Sequence, residues 1–129
     1  KYCQVINIEV ETMLEMVNKD IIPATFKYIR DVSNTALAVK QLVGSACNAE
    51  SDLVRQLSDY ADSLARKAKE LDSMHVEAKK LSGMKAALFY AEKIVPQMAD
   101  VRAIADSIEP LLGDEYKPYP SYEDLMFRI

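Results

Sequence analysis

The sequence predicts an all-α protein: a long antiparallel three-helix bundle, or four helices if the chain breaks at Pro23, with an extended aromatic and proline-containing C-terminal tail. Three observations carry that expectation. The 129 residues include three glycines, where average composition would give about nine. The apolar residues recur at spacings of three and four rather than two. Each glycine, Gly44, Gly83 and Gly113, falls where one of those apolar stripes ends. Few glycines and no tryptophan argue against a turn-rich β-sandwich or barrel.

The first helix is expected over about residues 5–43. Its stripe is Val10, Met13, Leu14, Val17, Ile21, Ala24, Tyr28, Val32, Thr35, Val39 and Leu42, and Gly44 is placed to cap it. Pro23 interrupts the pattern. An interior proline removes a ladder hydrogen bond and crowds the carbonyl four residues earlier, at a cost of about 3 kcal/mol. A kink or a break is therefore expected near residues 22–23.

The second helix is expected over about 49–82, capped at its start by Asn48 or Ser45. Leu57, Leu64, Leu71 and Ala78 form a seven-residue series, with Leu53, Tyr60, Lys67, Met74 and Leu81 as a companion. Such a heptad stripe marks a helix that packs lengthwise on others. The third helix, about 84–109, carries Leu88, Ala91, Val95, Met98, Val101, Ala105 and Ile108, with a kink expected at Pro96 and an end at Pro110 and Gly113. Short connectors between long rods imply antiparallel neighbours.

The tail, 113–129, differs in kind. Tyr116, Tyr119 and Tyr122 alternate with Pro118 and Pro120, then Leu125 and Phe127 follow. The prolines hold the chain extended, and the rings suit docking on a surface, its own bundle or a neighbour's. Tyr116, Pro118, Tyr119, Pro120, Tyr122, Leu125 and Phe127 are accordingly the candidate interface residues.

Length and composition bound the function. One domain of this size, half hydrophobic and 28% charged, can bury a core. A net charge of −4 disfavours nucleic acid as a partner. The longest apolar run, Ala36 to Val39, falls far short of the roughly 18 residues of a membrane span. Cys3 and Cys47 lack CxxC spacing and read as buried or half-buried thiols in a reducing, cytoplasmic compartment. The N-terminus has neither the basic stretch and apolar run of a signal peptide nor an initial Met, which suggests a piece of a longer chain.

No catalytic, cofactor-binding or metal-binding residue can be assigned. His75 is the single histidine, and position 79, where a helical metal pair would place a second, is Lys. It reads as a structural or partly exposed side chain. The carboxylates, including Glu9, Glu11, Glu15, Asp59 and Asp62, lack the Glu-x-x-His repeat of a di-iron bundle and read as a solvated face. Every glycine is isolated, so no phosphate-binding loop exists, and the methionines read as core filler.

Three stretches, in order, resemble one family. Asn7-Ile8-Glu9, Thr12-Met13, Met16 and Ile22-Pro23-Ala24 resemble the segment where type III glutamine synthetases leave their catalytic region for a helix. Val95-Pro96-Gln97-Met98 with Val101-Arg102 and Ile104-Ala105-Asp106 is similar to their last long helix. Tyr116 to Phe127 resembles their ending, an aromatic-Pro-aromatic-Pro-Ser/Thr-Tyr run leading into Asp-Leu-Met-Phe. The middle helix matches in type alone.

The resemblance implies a C-terminal helical domain of a larger bacterial, dodecameric enzyme that joins glutamate to ammonia with ATP and divalent Mg or Mn. The family's catalytic, metal and nucleotide residues lie upstream of such a domain, so none is carried onto this chain. Its partners would be its own catalytic region and neighbouring subunits, and its role subunit packing and oligomer assembly. A free-standing helical interaction module is the alternative; a small enzyme using His75 is a weaker one.

Overall fold

The computed structural model describes residues 2–45 and 47–119. It is an all-α bundle of three rods, with no strand among the described residues. The first rod is α1 (Tyr2–Met16), a π-helical turn (Val17–Ile21) and α2 (Ile22–Val43), which follow one another without a gap. The second is α3 (Asn48–Ala78). The third is α4 (Gly83–Phe89), a second π turn (Tyr90–Ile94) and α5 (Val95–Ile108). Two 3₁₀ turns, Glu109–Leu111 and Asp114–Tyr116, lead into the tail. Among the described residues no helix is long and apolar enough to cross a membrane.

Cross-links show the rods to be antiparallel. Cys47 Sγ lies 3.6 Å from the Ala36 carbonyl at one end of the first pair, while His75 bonds Asn7 at the other. Gln97 and Asp100 of the third rod meet Lys67 and Glu70 of the second.

The first rod does not break at Pro23, since α1, the π turn and α2 follow one another directly. The helix admits one extra residue per turn just before the proline, and the Ile22 N–H bonds the Val17 carbonyl five residues back. The same device precedes Pro96, where the Val95 N–H bonds the Tyr90 carbonyl. A π turn is one extra residue inserted into an α-helix. Its wider ring moves the preceding carbonyls away from the pyrrolidine, which relieves the clash that makes an interior proline costly.

The insertion shifts the core. Val10 and Val17 are buried as expected, but beyond the turn the inward residues are Ile22 and Thr25, not Ile21 and Ala24. Thr35, Val39 and Leu42, placed on the stripe by sequence, are exposed. In the third rod, Ala86, Tyr90, Ile94 and Gln97 face inward in place of Leu88, Ala91, Val95 and Met98. Val101 and Ile108 keep their expected places.

The second rod follows its heptad. Leu57, Leu64 and Leu71 are fully buried, each contributing about 1.5–3 kcal/mol. Their inner companions are Ala61, Ala68 and His75, one position beyond Tyr60, Lys67 and Met74, which are half-buried. Ala61 and Ala68 leave room there for the flanking rods. Neither expected cap is used: Cys47 precedes α3 and makes no side-chain bond to the first turn. Gly44 does end α2, at φ 81°, donating its N–H to the Lys40 carbonyl at 2.7 Å.

Candidate functional site

The tail turns back along the first rod. After α5, Gly113 and Lys117 are extended on either side of the 3₁₀ turn at Asp114–Tyr116. The Tyr116 ring packs on Tyr28, centroids 4.7 Å apart and planes at 55°, a tilted pairing of the kind aromatic rings prefer. Its hydroxyl donates to Asp31 at 2.7 Å. Three residues on, the Tyr119 hydroxyl donates to Asp20, which lies in the first π turn. Of the sequence-derived interface residues, Tyr116, Pro118 and Tyr119 therefore lie on α1 and α2 or beside them; Pro120, Tyr122, Leu125 and Phe127 lie outside the described residues.

These bonds fix the protonation of the phenols. The Asp31 acceptor, then desolvation, pushes Tyr116 up to about 12; burial, then the Asp20 bond, does the same for Tyr119. Reciprocally, the Tyr116 hydrogen bond holds the Asp31 carboxyl below its usual range. Both rings are donors at neutral pH and neither is a nucleophile there.

Between α1, α5 and this arm runs a groove of about 610 Å³. Met13, Met16, Val17 and Ile21 line it from the first rod, Met98, Ala105 and Ile108 from α5, and Tyr119 from the arm. Arg102 and Glu9, both exposed, also line it. Val17 and Ile21 belong to the π turn, so the proline adjustment also shapes the groove. The sequence reading took the methionines as core; the structure leaves Met16 exposed and Met13 and Met98 half-buried along a cleft. Prolines within long helical stripes were the available signal for that cleft.

His75 is structural in its placement. It is 3% exposed, and its Nε2 meets the Asn7 amide oxygen. Burial first, then the Lys79 ammonium, lowers its pKa, while Glu11 and Asp72 oppose them. Nothing nucleophilic is paired with it. Sequence reasoning missed the Asn7 partner, and also Gln97, a buried amide donating to the Lys67 carbonyl at 3.0 Å and to Glu70 at 3.2 Å.

Among the described residues no three His, Cys, Asp or Glu side chains gather as a metal set would. Cys3 and Cys47 are free and half-buried, and burial raises the Cys47 thiol further from reactivity.

Known proteins set these features in context. The sequence profile of the glutamine synthetase C-terminal domain matches residues 1–40. A glutamine synthetase of Butyrivibrio fibrisolvens is 31% identical over 133 aligned residues, spanning 99% of this chain and 19% of that protein. A type-3 glutamine synthetase of Dictyostelium discoideum is 22% identical over 141, spanning 98% of this chain and 18% of its own. The chain therefore spans less than a fifth of each relative's length.

Proposed function

The chain belongs to the glutamine synthetase C-terminal domain family, and from that premise we propose that it is a non-catalytic helical domain of a larger ATP-dependent glutamate–ammonia ligase, contributing to subunit packing and oligomer assembly. In this reading the nucleotide, Mg or Mn and both substrates are held by upstream residues, in a cytoplasmic homo-oligomer that the family resemblance makes a dodecamer.

The observation that carries the reading is apolar surface left uncovered at both ends of the bundle. At one end Tyr2, Val5, Leu81, Met84 and Leu88 are exposed around the chain's entry, Met84 at 74%. At the other, Leu37, Leu42 and Val43 are exposed, Leu42 at 87%. Apolar side chains grouped like this suit burial against protein. The entry end would meet the domain's own catalytic region, and the far end a neighbouring subunit.

The test uses the full-length enzyme. Leu42→Asp with Leu37→Asp should shift sedimentation toward smaller assemblies and lower turnover in proportion. An unchanged oligomer with unchanged glutamine formation would refute the assembly role and favour a separate interaction module.

A further inference from the structure

We propose that the free end of α2 is a plug that seats in the groove between α1 and α5 of a second copy of this chain. The inference rests on the assembly role above and names the surface that the far end of the bundle meets. The plug is an overhang. Cys47 Sγ donates to the Ala36 carbonyl, so α3 begins beside Ala36 and residues 37–43 of α2 run on past it. At about 1.5 Å per residue that overhang is about 10 Å long. All seven of its residues are exposed, and five of them, Leu37, Ala38, Val39, Leu42 and Val43, are apolar. Successive residues turn by about 100°, which spreads these five around the helix. Two turns of helix draw their stability from packing, and a helix apolar on every side is one that protein covers.

The groove supplies what the overhang lacks. A cleft between two helices encloses an incoming helix on more than one side, and the thioethers of Met13, Met16 and Met98 adapt to the side chains that enter. The occupant has to come from another copy. Lys40 and Met16 are 24 residues apart along one rod, which is about 36 Å, so no copy reaches its own groove. Charge agrees. Lys40 is the single charged residue between 34 and 49, and it makes no ion pair among the described residues. The groove's lining brings Glu9, Asp106 and Glu109, which form none there either, against Arg102 and a Lys117 already paired with Asp114 at 3.1 Å. A net negative lining thus meets a positive plug, and Arg102 suits the carbonyl end of the incoming helix. The contact joins unlike surfaces, so each copy gives one plug and receives one, an arrangement that closes as a ring where the rotation permits.

Photocross-linking in the full-length enzyme tests this. Benzoylphenylalanine takes the place of Leu42, which is 87% exposed, and light and ¹⁵N-labelled subunits are mixed before assembly. Illumination should join residue 42 of one isotopic form to peptides holding Met13, Met16 or Met98 of the other. The same probe at Gln41, a polar position on the overhang, covers the case in which the bulky group at 42 blocks entry. Met16→Asp, at an exposed site outside the core, should cut the yield about tenfold or more; an unchanged yield would overturn the proposal. Cross-links to residues upstream of this domain, or to residues 37–43 of the other copy, would overturn the groove assignment and leave the assembly role standing. No cross-link between copies from either position would overturn it as well, and sedimentation of the Leu37→Asp, Leu42→Asp enzyme then decides the assembly role separately.

Discussion

Deleting Asn18 should cost about 3 kcal/mol when Pro23 is present and little when residue 23 is alanine. The first π turn places one extra residue between Val17 and Ile22, and both of those are buried. Asn18 is exposed. Removing it leaves Val17 and Ile22 four apart and facing the core, as an ordinary α-helix requires. The turn can then close to α geometry, which returns the Pro23 ring to the carbonyl of the preceding turn. That clash with the lost ladder bond is worth about 3 kcal/mol. Pro23→Ala alone should change stability by under about 1 kcal/mol, since its main effect is on the unfolded chain. Urea unfolding followed by circular dichroism on all four chains of the cycle measures the coupling, a large fraction of the 5–15 kcal/mol typical of a domain. An equal deletion cost in both backgrounds would show that the extra residue serves packing and not the proline. Glu92, exposed in the second π turn, and Pro96 form an independent second cycle.

The titratable groups give two further expectations. Because burial lowers the His75 pKa below its ordinary 6.5, the unfolded chain binds this proton first, so stability is full above about pH 6.5 and is lost as pH falls through the folded value. The urea midpoint should drop between pH 7.5 and 5.5, and His75→Gln should flatten that drop. Tyr116 and Tyr119 shift the other way: their folded values near 12 lie above the usual 10, so their contribution is full below pH 10 and fades from 10 to 12. Ultraviolet phenolate titration should show late-ionising tyrosines, one fewer in Tyr116→Phe and one fewer in Tyr119→Phe; simultaneous ionisation of all seven would contradict the arm's hydrogen bonds. Gln97→Ala should cost about 2 kcal/mol by denaturation, and Gln97→Met about half as much, because the buried amide bridges two rods and one of its acceptors is a carboxylate. Equal losses in the two variants would assign the effect to packing alone.

The three rods, the glycine stop at Gly44 and the leucine seam of α3 were legible because each rests on local geometry. Gly44 needs a positive φ, and Leu57, Leu64 and Leu71 repeat on one face of an uninterrupted helix. The groove was not legible for a different reason. It depends on which side of α1 meets α5, and a stripe of apolar residues does not say which members lie at a seam between rods and which lie beneath it. Met13, Met16 and Met98 look identical in sequence to core methionines. The donor pairs Tyr116–Asp31 and Tyr119–Asp20 join residues 85 and 99 positions apart, and nothing near either partner announces the other.

The misplaced stripe of the first rod has an identifiable cause, and it makes that part of the sequence more readable than a single period allows. In the first rod the expected phase holds up to Val17 and fails by one residue after it; in the third it holds at Val101 and Ile108, while Gln97, Ile94 and Tyr90 each precede the expected Met98, Val95 and Ala91 by one. A fixed 3.6-residue period must miss on one side of any insertion, and the side it misses is the one farther from where the stripe was anchored. Both insertions stand at the same offset from a proline, in Ile21-Ile22-Pro23 and in Ile94-Val95-Pro96. An interior proline within a long apolar stripe can therefore be met by one added residue in place of a broken helix. When the stripe of the first rod is broken into two phases one residue apart before Pro23, Ile22 and Thr25 return to the core. Pro23, which seemed to argue against a continuous rod, then marks where the first rod changes register, and Val17 and Ile21 of the adjoining π turn line the groove.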